Sequence, residues 1–214
     1  MHVAVNGKAI VDGRLVLPLA REWSATLDVN ATEAINGAAT ISIADGELQF
    51  VGTARSEIVN GRCKMKLMAG AGGITGAIAG KSYYRISARN LIADILAEIG
   101  ETLGPVSGLD VELVHWMRAS GPASRELRVL FASLGLGWRM NPSGTLWCGV
   151  ESWPETAMKK ETILREDPAS GEYEIAANVP NIFPGETWDG RRVRTVTHTI
   201  AGSTLRTTLS TATQ

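Results

Sequence analysis

Short runs of alternating apolar and polar residues, separated by pairs that favour tight reversal, fill the first third of the chain. The pairs are Asn6-Gly7, Asp12-Gly13, Asn36-Gly37, Asp45-Gly46 and Asn60-Gly61. Such dipeptides accept the positive φ of two-residue hairpin loops, so the pattern predicts a compact antiparallel β-barrel-like module over residues 1–69. Its clearest strand is Arg62 to Met68, where Cys63, Met65 and Leu67 alternate with Arg62, Lys64 and Lys66. Successive strand side chains point to opposite faces, so one face is buried and the other carries a basic stripe. Ala25, Leu27 and Val29, then Ile41 and Ile43, keep the same period of two. The stripe reads first as a solvated face, with a negatively charged partner or DNA in a channel as the alternative.

Residues 70–80, GAGGITGAIAG, contain five glycines and no charge, and predict a mobile or closely packed connection after the barrel. TGAIAGKS, from Thr75 to Ser82, differs from a phosphate-binding loop only by threonine at the first glycine position. A phosphate loop needs a helix directly after its lysine, whereas Ser82 to Ile86 reads as extended. The period changes at Ser87. Leu91, Ile92, Ile95, Leu96 and Ile99 share one helical face, with Ser87 as N-cap and Gly100 as stop. A second helix opens near Pro122, places Leu127, Leu130, Phe131 and Leu134 on one face, and ends at Gly135. Val111 to Trp116 between them reads as a strand. Gly137–Met140 and Thr145–Cys148 flank Asn141-Pro142-Ser143-Gly144 as a hairpin. Residues 81–155 thus form a small α+β module. Trp138, Trp147 and Trp153 cluster there, and complete a core in preference to anchoring an interface.

Residues 156–169 are polar and read as a solvated linker into a last module, 170–214. In that module Pro184-Gly185 suits a type II turn and Asp189-Gly190 a further reversal. Arg191–Ile200 and Thr204–Ser210, rich in Thr and Val, flank Ala201-Gly202-Ser203 as a hairpin. The expected fold class is α+β, mostly β: two small antiparallel β-barrel-like modules flanking a small α+β module with two short helices.

Composition narrows the chemistry. The 214 residues suffice for a sizeable core in one or two domains. Lys and Arg number 21 against 22 Asp and Glu, so bulk charge points to neither nucleic acid nor membrane. Cys63 and Cys148 lie in no metal or redox motif and read as buried thiols compatible with a reducing compartment. The N-terminus lacks the pattern of a secretory signal, and no apolar run has membrane-spanning length. His2, His115 and His198 are far apart, and neither a zinc-protease HExxH nor a G-x-S-x-G elbow is present. His198 reads as a strand histidine at a semi-buried interface, on one face with Arg194, Val196 and Ile200. No metal or cofactor is expected. Glu98, Glu101, Glu112 and Glu126 are acids from which a wall-cleaving pair could in principle be drawn, but spacing does not pair them.

The order of these blocks carries a resemblance. A turn-rich β-module, a Gly-rich connection, SYYRISARNLIADILAEIGE, GWRMNPSGTLWCGVESWPE and a closing PGETWDGRRVRTVTH segment together resemble phage tail baseplate hub proteins of the late-control protein D group. The resemblance spans most of the chain, which is shorter than many members of that group. It implies a non-enzymatic structural virion protein, assembled in the bacterial host cytoplasm and resident in the tail. Hub proteins of this kind form homotrimeric rings in which paired barrels, here 1–69 and 170–214, continue the tail tube. The implied partners are a tail tube or distal tail protein, a central spike or fibre protein and the tape-measure protein, without specific nucleic acid binding or membrane insertion. Arg191, Arg192, Arg194 and Trp188 are the implied interface residues, since Arg and Trp favour interfaces. The alternative is a tail-associated carbohydrate-binding or peptidoglycan-degrading protein.

Overall fold

Six antiparallel strands close into a barrel at the N-terminal end of the computed structural model, which describes residues 3–156, 158, 162–176 and 180–211. They are β1 (Val3–Val5), β2 (Lys8–Pro18), β3 (Ser24–Val29), β4 (Gly37–Ile43), β5 (Leu48–Val59) and β6 (Arg62–Ala69). Their order is β1-β4-β5-β6-β3-β2, and pairing of β1 with β2 completes the ring. Closure leaves no unpaired edge within the ring. The alternation seen in the sequence holds: Cys63, Met65 and Leu67 are buried, as are Leu27, Ile41 and Phe50. Asn6-Gly7 and Asn60-Gly61 form the expected hairpin turns, both asparagines having positive φ. Asp12-Gly13 is not a turn. It lies inside β2, where a Cβ on Gly13 would sit 2.7 Å from Leu27 Cδ2 and 2.8 Å from the Thr26 carbonyl oxygen. Glycine here permits close approach of two strands, the other meaning of a strand glycine.

The Gly-rich connection is closely packed and includes β7 (Ala77–Ile78). A Cβ on Gly73 would lie 2.1 Å from the Ile99 carbonyl oxygen. Buried Glu101 accepts from the Ala71 amide at 3.0 Å and from the Gly73 amide at 2.7 Å, fastening the connection to the helical layer. Lys81 opens β8 (Lys81–Ser87) and pairs with Asp94 at 2.8 Å, so no helix follows the lysine of TGAIAGKS.

Both helices follow their sequence signals. In α1 (Ala88–Ile99) Ser87 Oγ accepts from the Asn90 amide at 3.2 Å, Gly100 adopts the left-handed cap, and Leu91, Ile92, Ile95 and Leu96 are buried. After β9 (Leu103–Val106), β10 (Glu112–Arg118) and β11 (Gly121–Pro122) comes α2 (Ala123–Leu134), with Pro122 as its N-cap residue. The hairpin of β12 (Gly137–Met140) and β13 (Leu146–Gly149) has the expected register, and β9 joins β13 in parallel. Main-chain groups dock this hairpin on the barrel. The Trp23 indole donates to the Asn141 carbonyl at 3.0 Å, and the Val51 amide to the Pro142 carbonyl at 2.7 Å. The Arg21 amide donates to Trp138, and the Met140 amide to Arg21.

The remaining strands are β14 (Thr162–Asp167), β15 (Glu172–Ala176), β16 (Thr187–Trp188), β17 (Arg191–Ala201) and β18 (Thr204–Thr211). β17 pairs with β2 from Thr195 opposite Pro18 to Ala201 opposite Asp12. The barrel sheet therefore continues as β2-β17-β18-β15-β14, an open run among the described residues. The polar stretch read as a linker supplies β14, whose polarity suits an outermost strand with few buried side chains. Lys159, Lys160 and Glu161 of that stretch lie outside the described residues, as do His2, Val179 and residues 212–214. The fold is α+β and mostly β, with two short helices.

Replacing Glu101 by Ala leaves the Ala71 and Gly73 amides without their acceptor. We expect Glu101→Ala to lower the unfolding free energy by about 1–3 kcal/mol, and Glu101→Gln, which keeps one acceptor oxygen, to lower it less. Urea unfolding followed by tryptophan fluorescence measures both.

Candidate assembly surface

Strict alternation along β17 would set Arg194 on the same face as Val196, His198 and Ile200. A β-bulge between Val193 and Thr195 shifts the phase. Val193, Val196, His198 and Ile200 are buried, whereas Arg194 is exposed and has no ion-pair partner among the described residues. Arg191 lies 4.8 Å above the Tyr173 ring and pairs with Asp189 at 2.7 Å. Trp188, only 3% exposed, meets the same Tyr173 edge-on at 5.5 Å. Arg192 lies over the half-buried Trp153 at 5.2 Å. The structure thus brings Arg191 and Trp188 together around Tyr173, seats Arg192 on Trp153, and leaves Arg194 facing outward. Cation–π seating restricts Arg191 and Arg192 while leaving their charge at the surface.

His198 is a core residue, not a semi-buried one. Its Nδ1 is 2.9 Å from Thr207 Oγ1, its ring is 6.2 Å from Phe50, and Nε2 has no hydrogen-bond partner among the described residues. Burial pushes its pKa down to about 4, because a charged imidazole here would lose its hydration without gaining a counter-ion.

The Pro184-Gly185 turn covers a cluster that sequence reasoning missed. Arg139 pairs with Glu151 at 2.5 Å and stacks on Trp147 at 3.9 Å. Gly185 has φ of 91°, and a Cβ there would lie 2.8 Å from both Arg139 Nη2 and Glu151 Oε2. The pair and its tryptophan line a cleft of about 330 Å³ with Trp23 and Phe183. Only the density of tryptophans and the PG pair hinted at it. Trp138, by contrast, is buried and stacks on Phe131.

The acids considered for wall cleavage have separate structural contacts. Glu98 accepts from the Ala79 amide at 2.6 Å and pairs with buried Arg118 at 2.5 Å. The Ala79 amide first, and Arg118 with it, hold the Glu98 carboxyl below its usual range. Arg118 also reaches Asp94 at 3.2 Å, and Asp94 accepts from the Tyr83 hydroxyl. Burial, then that bond to Asp94, raises the Tyr83 pKa. Glu126 accepts from the Trp116 indole at 2.7 Å, and Glu112 lies 3.7 Å from Arg85. His115 packs beside Tyr84 at 4.9 Å. Among the described residues no group of three or more His, Cys, Asp and Glu could hold a metal ion, and no helix is long and apolar enough to cross a membrane. Cys63 and Cys148 are both buried free thiols, and burial pushes Cys148 up to about 11.

No family model and no curated protein matches the sequence. Solved structures match the fold along its whole length. The E. coli c3393 protein, described as a component of the type VI secretion system with structural similarity to T4 bacteriophage tail proteins gp27 and gp5, superposes with a TM-score of 0.76 at 9% identity, over 100% of this chain and 77% of its own. The 43 kDa tail protein of prophage MuSo2 from Shewanella oneidensis gives 0.71 at 9% identity, over 99% and 97% of the two chains. A tail protein from Neisseria meningitidis MC58 gives 0.68 at 12% identity, over 98% and 95%. The chain has the fold of phage tail proteins. It shares that fold with the secretion-system component as well.

Two outcomes follow from the buried groups. The unfolded chain protonates His198 near 6.5 and the folded chain only near 4, so stability falls as pH drops from about 6.5 to 4, by about 3 kcal/mol from this group. His198→Gln flattens that part of a stability–pH profile measured by urea unfolding. Gly185→Ala combines a strained backbone with a close contact and costs about 1–3 kcal/mol in the same assay.

Proposed function

We propose that the chain is a structural subunit of a phage-type tail, a baseplate or tail-tip hub of the late-control protein D kind. The observation that carries this reading is the agreement of nearly the entire chain with a prophage tail protein, at a TM-score of 0.71 over 99% of its length. In this role three copies form a ring that joins the tail tube or a distal tail protein to a central spike or fibre complex. It assembles in the host cytoplasm, contacts the tape-measure protein and lies on the path of DNA passage. Its work is positional, requiring neither cofactor nor catalytic group.

A closed barrel extended by an open sheet suits that role. The barrel is rigid because its strands are all paired, and the open run offers strand faces and an edge to neighbours. Arg192 and Arg194 are the outward cations of β17 and serve as polar contacts to a neighbouring subunit or the tube, because guanidinium groups form paired hydrogen bonds with carboxylates. Arg191 and Trp188 hold the Tyr173 platform beside them.

Light scattering of the purified chain tests the reading, together with a peptidoglycan zymogram. The expected result is a threefold oligomer that leaves peptidoglycan intact. A stable single chain that clears peptidoglycan overturns it. In the same measurement Arg192→Glu with Arg194→Glu lowers the oligomeric fraction at fixed concentration, while unchanged assembly removes these arginines from the interface.

A further inference from the structure

Strand register sets like charges face to face at two distant places on one sheet. On the barrel, Arg55 of β5 lies directly opposite Lys66 of β6. Their neighbours are balanced: Lys64 stands opposite Glu57, and Asp28 accepts from Lys64 at 2.6 Å and from Arg62 at 3.5 Å. Arg55 and Lys66 have no carboxylate partner among the described residues. Like charges directly opposite each other weaken a strand pair, so this arrangement costs the isolated chain stability. The two cations, with the Glu57 and Lys64 pair, line a groove of about 580 Å³, with Gly72 and Thr75 of the Gly-rich connection along its wall, so its charged lining is three cations to one carboxylate. A concave site with low-dielectric walls strengthens attraction for an anion beyond that of a flat surface.

The converse pair stands at the other end. Asp167 of β14 lies directly opposite Glu172 of β15, while Glu166, opposite buried Tyr173, belongs to the other face. Glu166 and Glu172 are exposed. Asp167 Oδ1 accepts from the Ala169 and Ser170 amides at 3.2 and 3.3 Å, which fixes the hairpin tip. Strands β3, β2, β17 and β18 separate β6 from β15 in the sheet order, and β14 is its last strand among the described residues. Ile163 and Leu164 on β14 are each 42% exposed, leaving apolar surface beside the acidic tip.

We propose that the β14–β15 hairpin tip of one copy seats Asp167 and Glu172 against Arg55 and Lys66 in the groove of the next copy. Complementary features at opposite ends of one sheet give a head-to-tail contact, the type that makes a ring when its rotation closes. Each like-charge pair is relieved by the other, and Arg55, Lys66 and Glu172 have no ion-pair partner among the described residues. This contact rests on the ring reading above and gives it a specific interface.

Charge exchange in the full chain tests the contact, read as mass by light scattering in dilute salt with circular dichroism as the check of folding. Arg55→Glu with Lys66→Glu, and separately Glu172→Lys, are expected to reduce the oligomer to single-chain mass. Joining all three substitutions in one chain re-creates attraction with the signs exchanged, and restores the oligomer. Folded variants of either side that keep the wild-type mass overturn the contact and leave the ring reading standing. So does a combined variant that stays single. A wild-type chain that is single at every concentration removes the ring reading and the contact with it. Duplex DNA retained by the wild-type chain and lost with Arg55→Glu and Lys66→Glu, while mass is unchanged, assigns the groove to phosphate and overturns the proposal.

Discussion

The pairing of β17 with β2 is the constraint on which the rest of the structure depends. One edge of β2 has two partners in succession: β1 at Lys8 and Ala9, and β17 from Asp12 to Pro18. The first pairing closes the barrel and the second starts the C-terminal sheet. A single long strand can serve both only if its register is firm, and β3 on the other edge holds it there. The irregularity between Ile10 and Asp12 and the close approach at Gly13 fall where β2 passes from one partner to the next. Bulges and strand glycines commonly mark such changes of direction. The inner face of β17 then belongs to the barrel core, which is why His198 packs near Phe50 and is held neutral.

The middle module is fastened to this frame mostly through the main chain. Carbonyls of Asn141, Pro142 and Trp138 receive donors from Trp23, Val51 and Arg21, and Glu101 receives two amides of the connection. Main-chain contacts of this kind depend on backbone position, so they survive wide change in side chains. That is consistent with a shared fold at 9% identity, a level at which side-chain packing has largely been replaced. The Arg118, Asp94, Glu98 and Tyr83 network performs the corresponding task within the module, tying β8, β10 and α1 together.

Local signals were legible in the sequence and non-local ones were not. Ser87, Gly100 and Gly135 mark helix ends, and Asn60-Gly61 and Asn141 to Gly144 mark reversals, because each acts within a few residues. The alternation from Cys63 to Leu67 survived because one strand face is dry. Arg194 was placed on the wrong face because a bulge depends on the partner strand, and Asp12-Gly13 looked like a turn because its cause, Leu27, lies on another strand. The stretch around Thr162 to Asp167 looked like a linker since an outer strand need not alternate. The Arg139, Glu151 and Trp147 cluster needed the PG turn to arrive from more than thirty residues away. Of the interface residues, their types were readable, but Trp188 entered the core and Arg191 and Arg192 settled on aromatic rings.

Near-neutral total charge conceals how charge is distributed. With 21 cationic and 22 acidic side chains, the chain as a whole exerts little field at long range. Yet register places Arg55 beside Lys66 and Asp167 beside Glu172, although oppositely charged neighbours were available on the same strands. Repulsion within a pair is tolerable at an exposed site because water and salt screen it, and attraction between pairs strengthens when a contact excludes that water. In the proposed ring each such pair meets the opposite charge that it lacks across its own strand. Local electrostatic misfit in the isolated chain is thus a physical means of favouring assembly without any change of fold.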